Sequence, residues 1–313
     1  MQALVIKNTG SLYTVLTDNG NTINCALKGN FRIKGIRTTN PVAVGDRVEV
    51  SYDENMQTGY ITAIIPRRNY IIRRASNLSK EAHIIAANID SAFLIVTLVN
   101  PVTSTTFIDR FLATAEAYRI KATIVINKID LLTEPDDREL LEAIAYLYRS
   151  IGYGVIECSA STGEGIEELR SELKDKVSLL SGNSGVGKST LINRLIPGLN
   201  LRTGEISESH LTGMHTTTFS EMFKLPEGGY IIDTPGVRGF GTIDFDAHEV
   251  SHFFPEIFEA GLECRYSDCS HTHEPGCEVR RRLDENLIAA SRYASYLSIL
   301  EDDVNHEKYR KPF

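Results

Sequence analysis

The sequence has no tryptophan and no uninterrupted apolar run long enough to cross a bilayer. Its start lacks the charged-then-apolar pattern of a secretion leader. These absences set the expectation of a cytoplasmic protein with no membrane partner. Basic residues are outnumbered, 33 Lys and Arg against 41 Asp and Glu, for a net charge of −8, so any nucleic-acid contact must use local patches. Cysteine is scarce and odd in number: Cys25, Cys158, Cys264, Cys269 and Cys277. An odd set excludes a fully paired disulfide framework and suits a reducing compartment. Repeats and low-complexity tracts are also missing. What is there is a 313-residue chain of ordinary globular composition, 42% apolar and long enough for two or three domains.

Gly182-Asn183-Ser184-Gly185-Val186-Gly187-Lys188-Ser189 fits G-x-x-x-x-G-K-[ST]. It follows a strand-like run, Val177 to Ser181, and opens a helix-like stretch beginning at Thr190, which is the context such a motif requires. Backbone N–H groups around the loop point inward at phosphates, and the helix N-terminus adds partial positive charge. Lys188 is placed to reach the β- and γ-phosphates of a nucleotide, and the Ser189 hydroxyl to bind Mg²⁺. Downstream, Tyr230-Ile231-Ile232-Asp233-Thr234-Pro235-Gly236 reads as a buried strand ending in D-x-x-G. Asp233 can hold Mg²⁺ through a water, and the Gly236 N–H can sense the γ-phosphate.

The base-reading motif comes before the phosphate loop. Ala122 to Ile126 is a buried strand ending in Asn127-Lys128-Ile129-Asp130, the N-K-x-D of guanine readers. The Asp130 carboxylate can accept from guanine N1 and N2, a pattern adenine lacks. Ile156-Glu157-Cys158-Ser159-Ala160 is a further strand followed by Ser-Ala, whose backbone N–H can meet guanine O6. In the usual GTPase order the phosphate loop leads. The order here implies a circularly permuted G domain, in which the same parallel sheet is built from a chain cut elsewhere. A nucleotide kinase on the same phosphate loop is disfavoured, because it has no need of N-K-x-D.

Residues 1–66 read as an all-β barrel of five short strands, with turn signals such as Asp18-Asn19-Gly20-Asn21 and Val44-Gly45-Asp46, and suit an RNA-binding OB-fold. Residues 67–241 read as the G domain. Its first stretch, Arg67-Arg68-Asn69-Tyr70-Ile71-Ile72-Arg73-Arg74, reads as a basic linker suited to phosphate contacts. Residues 242–313 read as helical with irregular breaks, and carry Cys264, Cys269, His271 and Cys277 in the spacing C-x4-C-x-H-x5-C. Three thiols and an imidazole complete a tetrahedral Zn²⁺ set with no position left for water, as in a structural site. His273 competes with His271 as the fourth ligand. Arg280-Arg281-Arg282 is a second basic cluster.

Taken together, these motifs resemble the RsgA/YjeQ family of small-ribosomal-subunit-dependent GTPases, over essentially the whole chain. The segments that carry the likeness are Asn127-Lys128-Ile129-Asp130 ahead of Gly182–Ser189, Gly213-Met214-His215-Thr216-Thr217-Thr218, Asp233-Thr234-Pro235-Gly236-Val237-Arg238, and the Cys-His spacing. The resemblance implies a multidomain α/β protein: an N-terminal OB-fold β-barrel, a circularly permuted P-loop GTPase domain and a C-terminal helical zinc-binding domain. It implies a GTP phosphohydrolase acting late in maturation of the 30S subunit, stimulated by that subunit, with 16S rRNA as a contact and a monomer as the working form. GTP-site residues carried by the matching motifs are Asn127, Lys128, Asp130, Ser159, Ala160, Gly182 to Ser189, Thr190, Asp233 and Gly236, with Thr217 joining Ser189 on Mg²⁺. Where Ras-like enzymes orient the attacking water with a Gln just after D-x-x-G, this chain has Val237. The resemblance carries a catalytic histidine onto His215, whose neutral imidazole can orient or accept from water near pH 7.

Base selectivity is directly testable. Asp130→Asn is expected to weaken GTP binding and turn preference towards xanthosine triphosphate, which carries an acceptor where guanine carries its amino group. Competition binding with the two nucleotides measures it; unchanged GTP affinity would remove Asp130 from the base site.

Overall fold

The computed structural model describes residues 1–10, 12–28, 41–53, 58–74, 82–201, 220–233 and 248–309. The N-terminal strands are β1 (Gln2–Asn8), β2 (Tyr13–Thr17), β3 (Thr22–Leu27), β4 (Arg47–Asp53) and β5 (Thr58–Ile64). Their order is β1-β2-β3-β5-β4, and β4 pairs back onto β1, so the sheet closes into an OB-like five-stranded barrel. Alternation explains the closure. Ala3 and Val5, Tyr13 and Val15, and Val48 and Val50 are buried two residues apart, and with Cys25 and Ile61 they fill the interior.

The chain then forms a hairpin, β6 (Tyr70–Arg74) with β7 (Ala82–Ala87), before entering the nucleotide-binding-type sheet. The basic stretch, read from sequence as a linker, is therefore part of a strand and a joint. Arg67 Nε and Nη2 donate to Asp46 Oδ1 and Oδ2, both at 2.6 Å, and Nη2 also donates to the Pro41 carbonyl at 2.7 Å. Arg67 is only 9% exposed and Asp46 is fully buried, so this guanidinium faces inward, away from any phosphate. Arg68 pairs with Asp90 at 2.7 Å but keeps most of its surface. Gly45, with φ +92°, lies so close to β7 that a β-carbon would sit 2.1 Å from the Ala87 carbonyl oxygen. Only glycine fits that approach.

The main sheet contains β8 (Ser91–Val96), β9 (Lys121–Ile126), β10 (Gly154–Glu157), β11 (Val177–Gly182), β12 (Glu221–Lys224) and β13 (Tyr230–Asp233), in the order β10-β9-β8-β11-β13-β12. All pairs are parallel except β12 with β13. β8 is buried along its whole length, as a parallel strand covered on both faces must be. Its Leu94 and Val96 face a core built with α1 (Thr105–Ala117) and α2 (Pro135–Ser150); Phe93 and Ile95 face a core built with α3 (Ile166–Leu173) and α4 (Lys188–Leu195). The chain lays down β8, β9 and β10 outward to one edge. It then returns through α3 to the sheet centre, where β11 leads into the phosphate loop. That return is the permutation in three dimensions. Beyond β12 the sheet touches the barrel through one register pair, Lys7 opposite Glu221, whose side chains form an ion pair at 3.0 Å.

The C-terminal part holds a short 3-10 turn at Val250–Phe253, then α5 (Pro255–Gly261), α6 (Glu278–Asp284) and α7 (Ala290–Tyr309). Val250, Phe254, Ile257, Val279, Tyr296 and Ile299 pack with Ala113 of α1. Beside them lies a buried charged knot. Arg292 Nη1 donates to Asp109 Oδ1 at 2.8 Å, and its Nε and Nη2 grip Glu256 at 2.6 and 3.1 Å. Tyr148 OH donates to the same Asp109 oxygen at 2.8 Å, and the guanidinium lies 4.5 Å from the Phe254 ring centroid. Arg292 is 1% exposed. Burial alone would favour the neutral guanidine, but the two carboxylates hold Arg292 firmly protonated. Four elements, α1, α2, α5 and α7, thus meet at one cation. Among the described residues no helix is long and apolar enough to cross a membrane.

Removing the cation alone leaves the buried Asp109 and the largely buried Glu256 without their partner. Arg292→Met is therefore expected to destabilise the protein by about 3–5 kcal/mol. Urea denaturation with wild type and variant side by side measures this; an unchanged midpoint would mean the knot contributes nothing.

Candidate functional site

The sheet ends its parallel strands along one edge, and the predicted motifs gather there, as open α/β sheets place their ligand crevices. β11 runs into the loop Gly182–Gly187, and α4 starts at Lys188. Asn183, Ser184 and Gly185 are exposed on the crest of the loop, while Val186 is fully buried beneath it in the core of α3 and α4. The buried valine anchors the loop and leaves the crest free. Gly187 has φ +88°, and a β-carbon there would sit 2.4 Å from Asn127 Nδ2. Ser189 and Thr190 occupy the first turn of α4 and are half-buried. Lys188 Nζ lies 3.0 Å from Asp233 Oδ1 at the end of β13, an ion pair without hydrogen-bond geometry, each side chain 13% exposed. A cation and a carboxylate thus stand together beside the helix N-terminus, where phosphate and divalent-metal chemistry would need them.

Asn127 joins this loop to the next two. Its Nδ2 donates to the Val186 carbonyl at 2.8 Å, and its Oδ1 accepts from the Ala160 N–H at 3.0 Å. Its own N–H donates to the Val96 carbonyl at 2.8 Å. Lys128 adopts a left-handed backbone, φ +65°, and its Nζ donates to the Asn100 carbonyl at 2.6 Å. Asn100 was not anticipated from sequence, because nothing in its local pattern marks it. Ser159 is buried, and its Oγ accepts from the Thr162 N–H at 3.1 Å, closing the turn after β10. Asp130 lies on the short 3-10 turn Ile129–Leu131, and its Oδ1 is buried without a hydrogen-bond partner among the described residues. Buried polar atoms are nearly always paired. This oxygen has the acceptor chemistry to meet a donor edge.

Cys264, Cys269, His271 and Cys277 converge, with all four candidate ligand atoms within 4.8 Å of one another. His271 Nδ1 lies 3.6 Å from both Cys264 and Cys277 Sγ, and those two sulfurs are 4.0 Å apart. A tetrahedral site with metal–sulfur bonds near 2.3 Å and metal–nitrogen bonds near 2.0–2.1 Å requires separations of about 3.6–3.8 Å, so the set fits. Burial pushes the Cys269 thiol up to about 12 and raises Cys277, while it lowers His271. The imidazole is thereby kept in its metal-binding neutral form, and the thiolates require a cation to compensate their charge. His273, the competing candidate, is exposed and bonds Thr272 Oγ1 at 2.7 Å.

The structure thus brings together the base motif, Ser159-Ala160, Gly182–Thr190 and Asp233 at one edge, and the cysteine-histidine set at a second place. His215, Thr217 and Gly236 lie outside the described residues. In the Arg280–Arg282 cluster, Arg281 is held by Glu278 and Glu285, and Arg282 by Glu278 and Glu263. Those two guanidiniums are already matched by carboxylates within the module.

The RsgA GTPase family matches residues 64–243, and the RsgA N-terminal domain family matches residues 2–61. Among curated proteins, the small ribosomal subunit biogenesis GTPase RsgA of Bacteroides fragilis strain YCH46 is 57% identical over 313 residues, covering all of both chains. The same-named protein of Porphyromonas gingivalis strain W83 is 57% identical over 317 residues, again covering both. Among solved structures, YjeQ from Thermotoga maritima matches with TM-score 0.77 at 34% identity, covering 97% of this chain and 98% of that one. YloQ, described as a circularly permuted GTPase, matches with TM-score 0.73 at 28% identity, covering 100% and 96%.

Asn127 offers a clean test of how the loops are held together. Asn127→Ala leaves the Val186 carbonyl and the Ala160 N–H unpaired in a buried place, a loss of about 1–3 kcal/mol for each group left so. We expect lower stability and weaker GTP binding together, read by denaturation and by titration with a fluorescent guanine nucleotide. Wild-type values in both would show that the loops hold their positions without it.

Proposed function

The chain belongs to the RsgA family of GTPases, hydrolases acting on GTP, and from that premise we propose that it acts late in maturation of the small ribosomal subunit, hydrolysing GTP to GDP and phosphate when docked on the 30S particle. The full-length likeness to relatives named for small ribosomal subunit biogenesis supports this reading. The observation that carries the nucleotide site is the buried, unpaired Asp130 Oδ1 beside loops that Asn127 ties together.

In this reading the domains are the barrel at residues 1–66, the permuted G domain at 67–241 and the metal-binding domain at 242–313. Asp130 accepts from guanine N1 and N2, Lys128 and Asn127 shape the base pocket, and the Ala160 N–H, next to Ser159, meets O6. Gly182 to Thr190 wrap the phosphates. Lys188 exchanges its contact with Asp233 for the β- and γ-phosphates. Ser189, Thr217 and, through water, Asp233 would hold Mg²⁺, which would supply positive charge against the phosphates, and the Gly236 N–H would face the γ-phosphate. His215 orients the attacking water, since Val237 cannot. Cys264, Cys269, His271 and Cys277 would hold one zinc, whose contribution is folding energy for a small module. The barrel and the exposed arginines Arg68 and Arg280 face 16S rRNA. The protein works as a cytoplasmic monomer.

GTP turnover with and without purified 30S subunits tests the proposal. The isolated protein is expected to be slow and the 30S particle to raise turnover. His215→Ala should keep GTP affinity and 30S binding but lose about 10²-fold or more of the stimulated rate, the scale of a positioned acid–base group. Stimulated turnover at the wild-type level would pass the water-orienting role to the ribosome or the backbone. A rate indifferent to 30S would point to a GTP-switched regulator.

A further inference from the structure

The chain between the second and fourth positions of the cysteine-histidine cluster runs Cys269-Ser270-His271-Thr272-His273-Glu274-Pro275-Gly276-Cys277. Its most heavily engaged side chain is not one of the four. Glu274 Oε1 accepts from the Ser270 N–H at 2.8 Å and the Ser270 hydroxyl at 2.6 Å. Oε2 accepts from the Thr272 N–H at 3.1 Å and the His273 N–H at 3.2 Å. Three backbone donors and one hydroxyl therefore converge on one carboxylate. They bracket His271, which takes the left-handed backbone φ +59°. Residues with a β-carbon adopt that conformation rarely, and the surrounding structure must impose it.

Burial works against a charge on Glu274, but the hydrogen bonds from Ser270 and its neighbours outweigh it and hold the carboxyl well below the usual carboxylate range. From the opposite side α7 fixes the same turn. Tyr293 OH donates to the His271 carbonyl at 2.7 Å and Tyr296 OH to the Ser270 carbonyl at 2.9 Å. The outcome is a choice between neighbours. The His271 ring is buried against Cys264 and Cys277, and the His273 ring faces out onto Thr272.

We infer that Glu274 is the positioning residue of the metal cluster: its carboxylate holds residues 270–273 in the one turn that aims His271, and not His273, at the three thiols. Glu274 is itself not part of the ligand set, since both its oxygens are occupied by backbone and hydroxyl donors that a metal would have to displace. A carboxylate suits the task where an amide would not. Each oxygen serves two donors, whereas glutamine has one acceptor oxygen and would turn its NH₂ towards the other pair. The inference rests on the zinc reading proposed above.

The test uses the full-length protein and Glu274→Gln. Zinc content is measured by elemental analysis, zinc affinity by competition with a chromogenic chelator, and ligand geometry by the absorption spectrum after Co²⁺ substitution. The wild type should carry one zinc per chain. The variant should bind zinc roughly 10- to 100-fold more weakly, the scale found for groups that orient metal ligands, with an altered Co²⁺ spectrum. Ser270→Ala, which deletes a single donor, should shift affinity the same way by less, and it serves if the glutamine variant does not fold. A wild type without zinc would end the zinc reading whatever Glu274 does. A zinc-bearing wild type with affinity and Co²⁺ spectrum unchanged in the variants would overturn the positioning role alone. So would a lowered Tm at unchanged zinc affinity, which is what an ordinary turn residue would give.

Discussion

Three loops from distant parts of the chain meet through one buried amide, that of Asn127. Its Nδ2 holds the Val186 carbonyl in the phosphate loop and its Oδ1 holds the Ala160 N–H after β10. An aspartate could not donate to the carbonyl, and a leucine could do neither. The same contact explains Gly187, because the amide nitrogen occupies the space a β-carbon would need. Asn127 and Asp130, three residues apart in one motif, thus do different work. The first fixes the loops to one another, and the second keeps an unpaired acceptor at the crevice. This is also why the permuted order is tolerated. The contact requires the three strand ends to open on the same side of the sheet, and β9, β10 and β11, with β8 between β9 and β11, do so whatever order the chain visits them in.

Charge is used differently at the two ends of the molecule. Where the C-terminal helices meet the G domain, Arg292 is buried between Asp109 and Glu256, with Tyr148 completing the set. Such a knot adds little net stability over an apolar core, but each member is costly to lose singly, and it demands one geometry. Its effect is to set α7 and α5 on α1. The segment that leads into α1 contains Asn100, which receives Lys128 of the base motif. α1 is therefore shared by the nucleotide-type edge and the metal-cluster module.

At the barrel, Arg67 makes a joint. Arg67 closes on Asp46 while Gly45 allows the barrel turn to approach β7 at backbone distance. Asn88 Nδ2 donates to the Gly45 carbonyl and Asn88 Oδ1 accepts from the Arg68 N–H, so the contact is polar and specific on both sides. Basic residues in a run of sequence are easily read as a phosphate-binding strip. Here adjacent arginines divide, Arg67 inward to the barrel and Arg68 outward beside Asp90.

The parts legible from residues alone are those whose chemistry is local. The period-2 strands of the barrel, the glycine loop between strand and helix, N-K-x-D, D-x-x-G and the spacing of the cysteines each declare themselves within ten or so residues, and their order discloses the permutation. The parts decided by the tertiary structure depend on partners far along the chain. Asp109 is an unremarked acid in a helix until Arg292 arrives 183 residues later. Arg67 is an exposed-looking base until the barrel turn supplies Asp46. His271 and His273 both stand between Cys269 and Cys277, and the fold of the turn, held by Glu274 and two tyrosines of α7, decides between them. A sequence pattern specifies which groups are available. Which of them lose water together, and so which charges and rings must be matched, is settled only when the core closes.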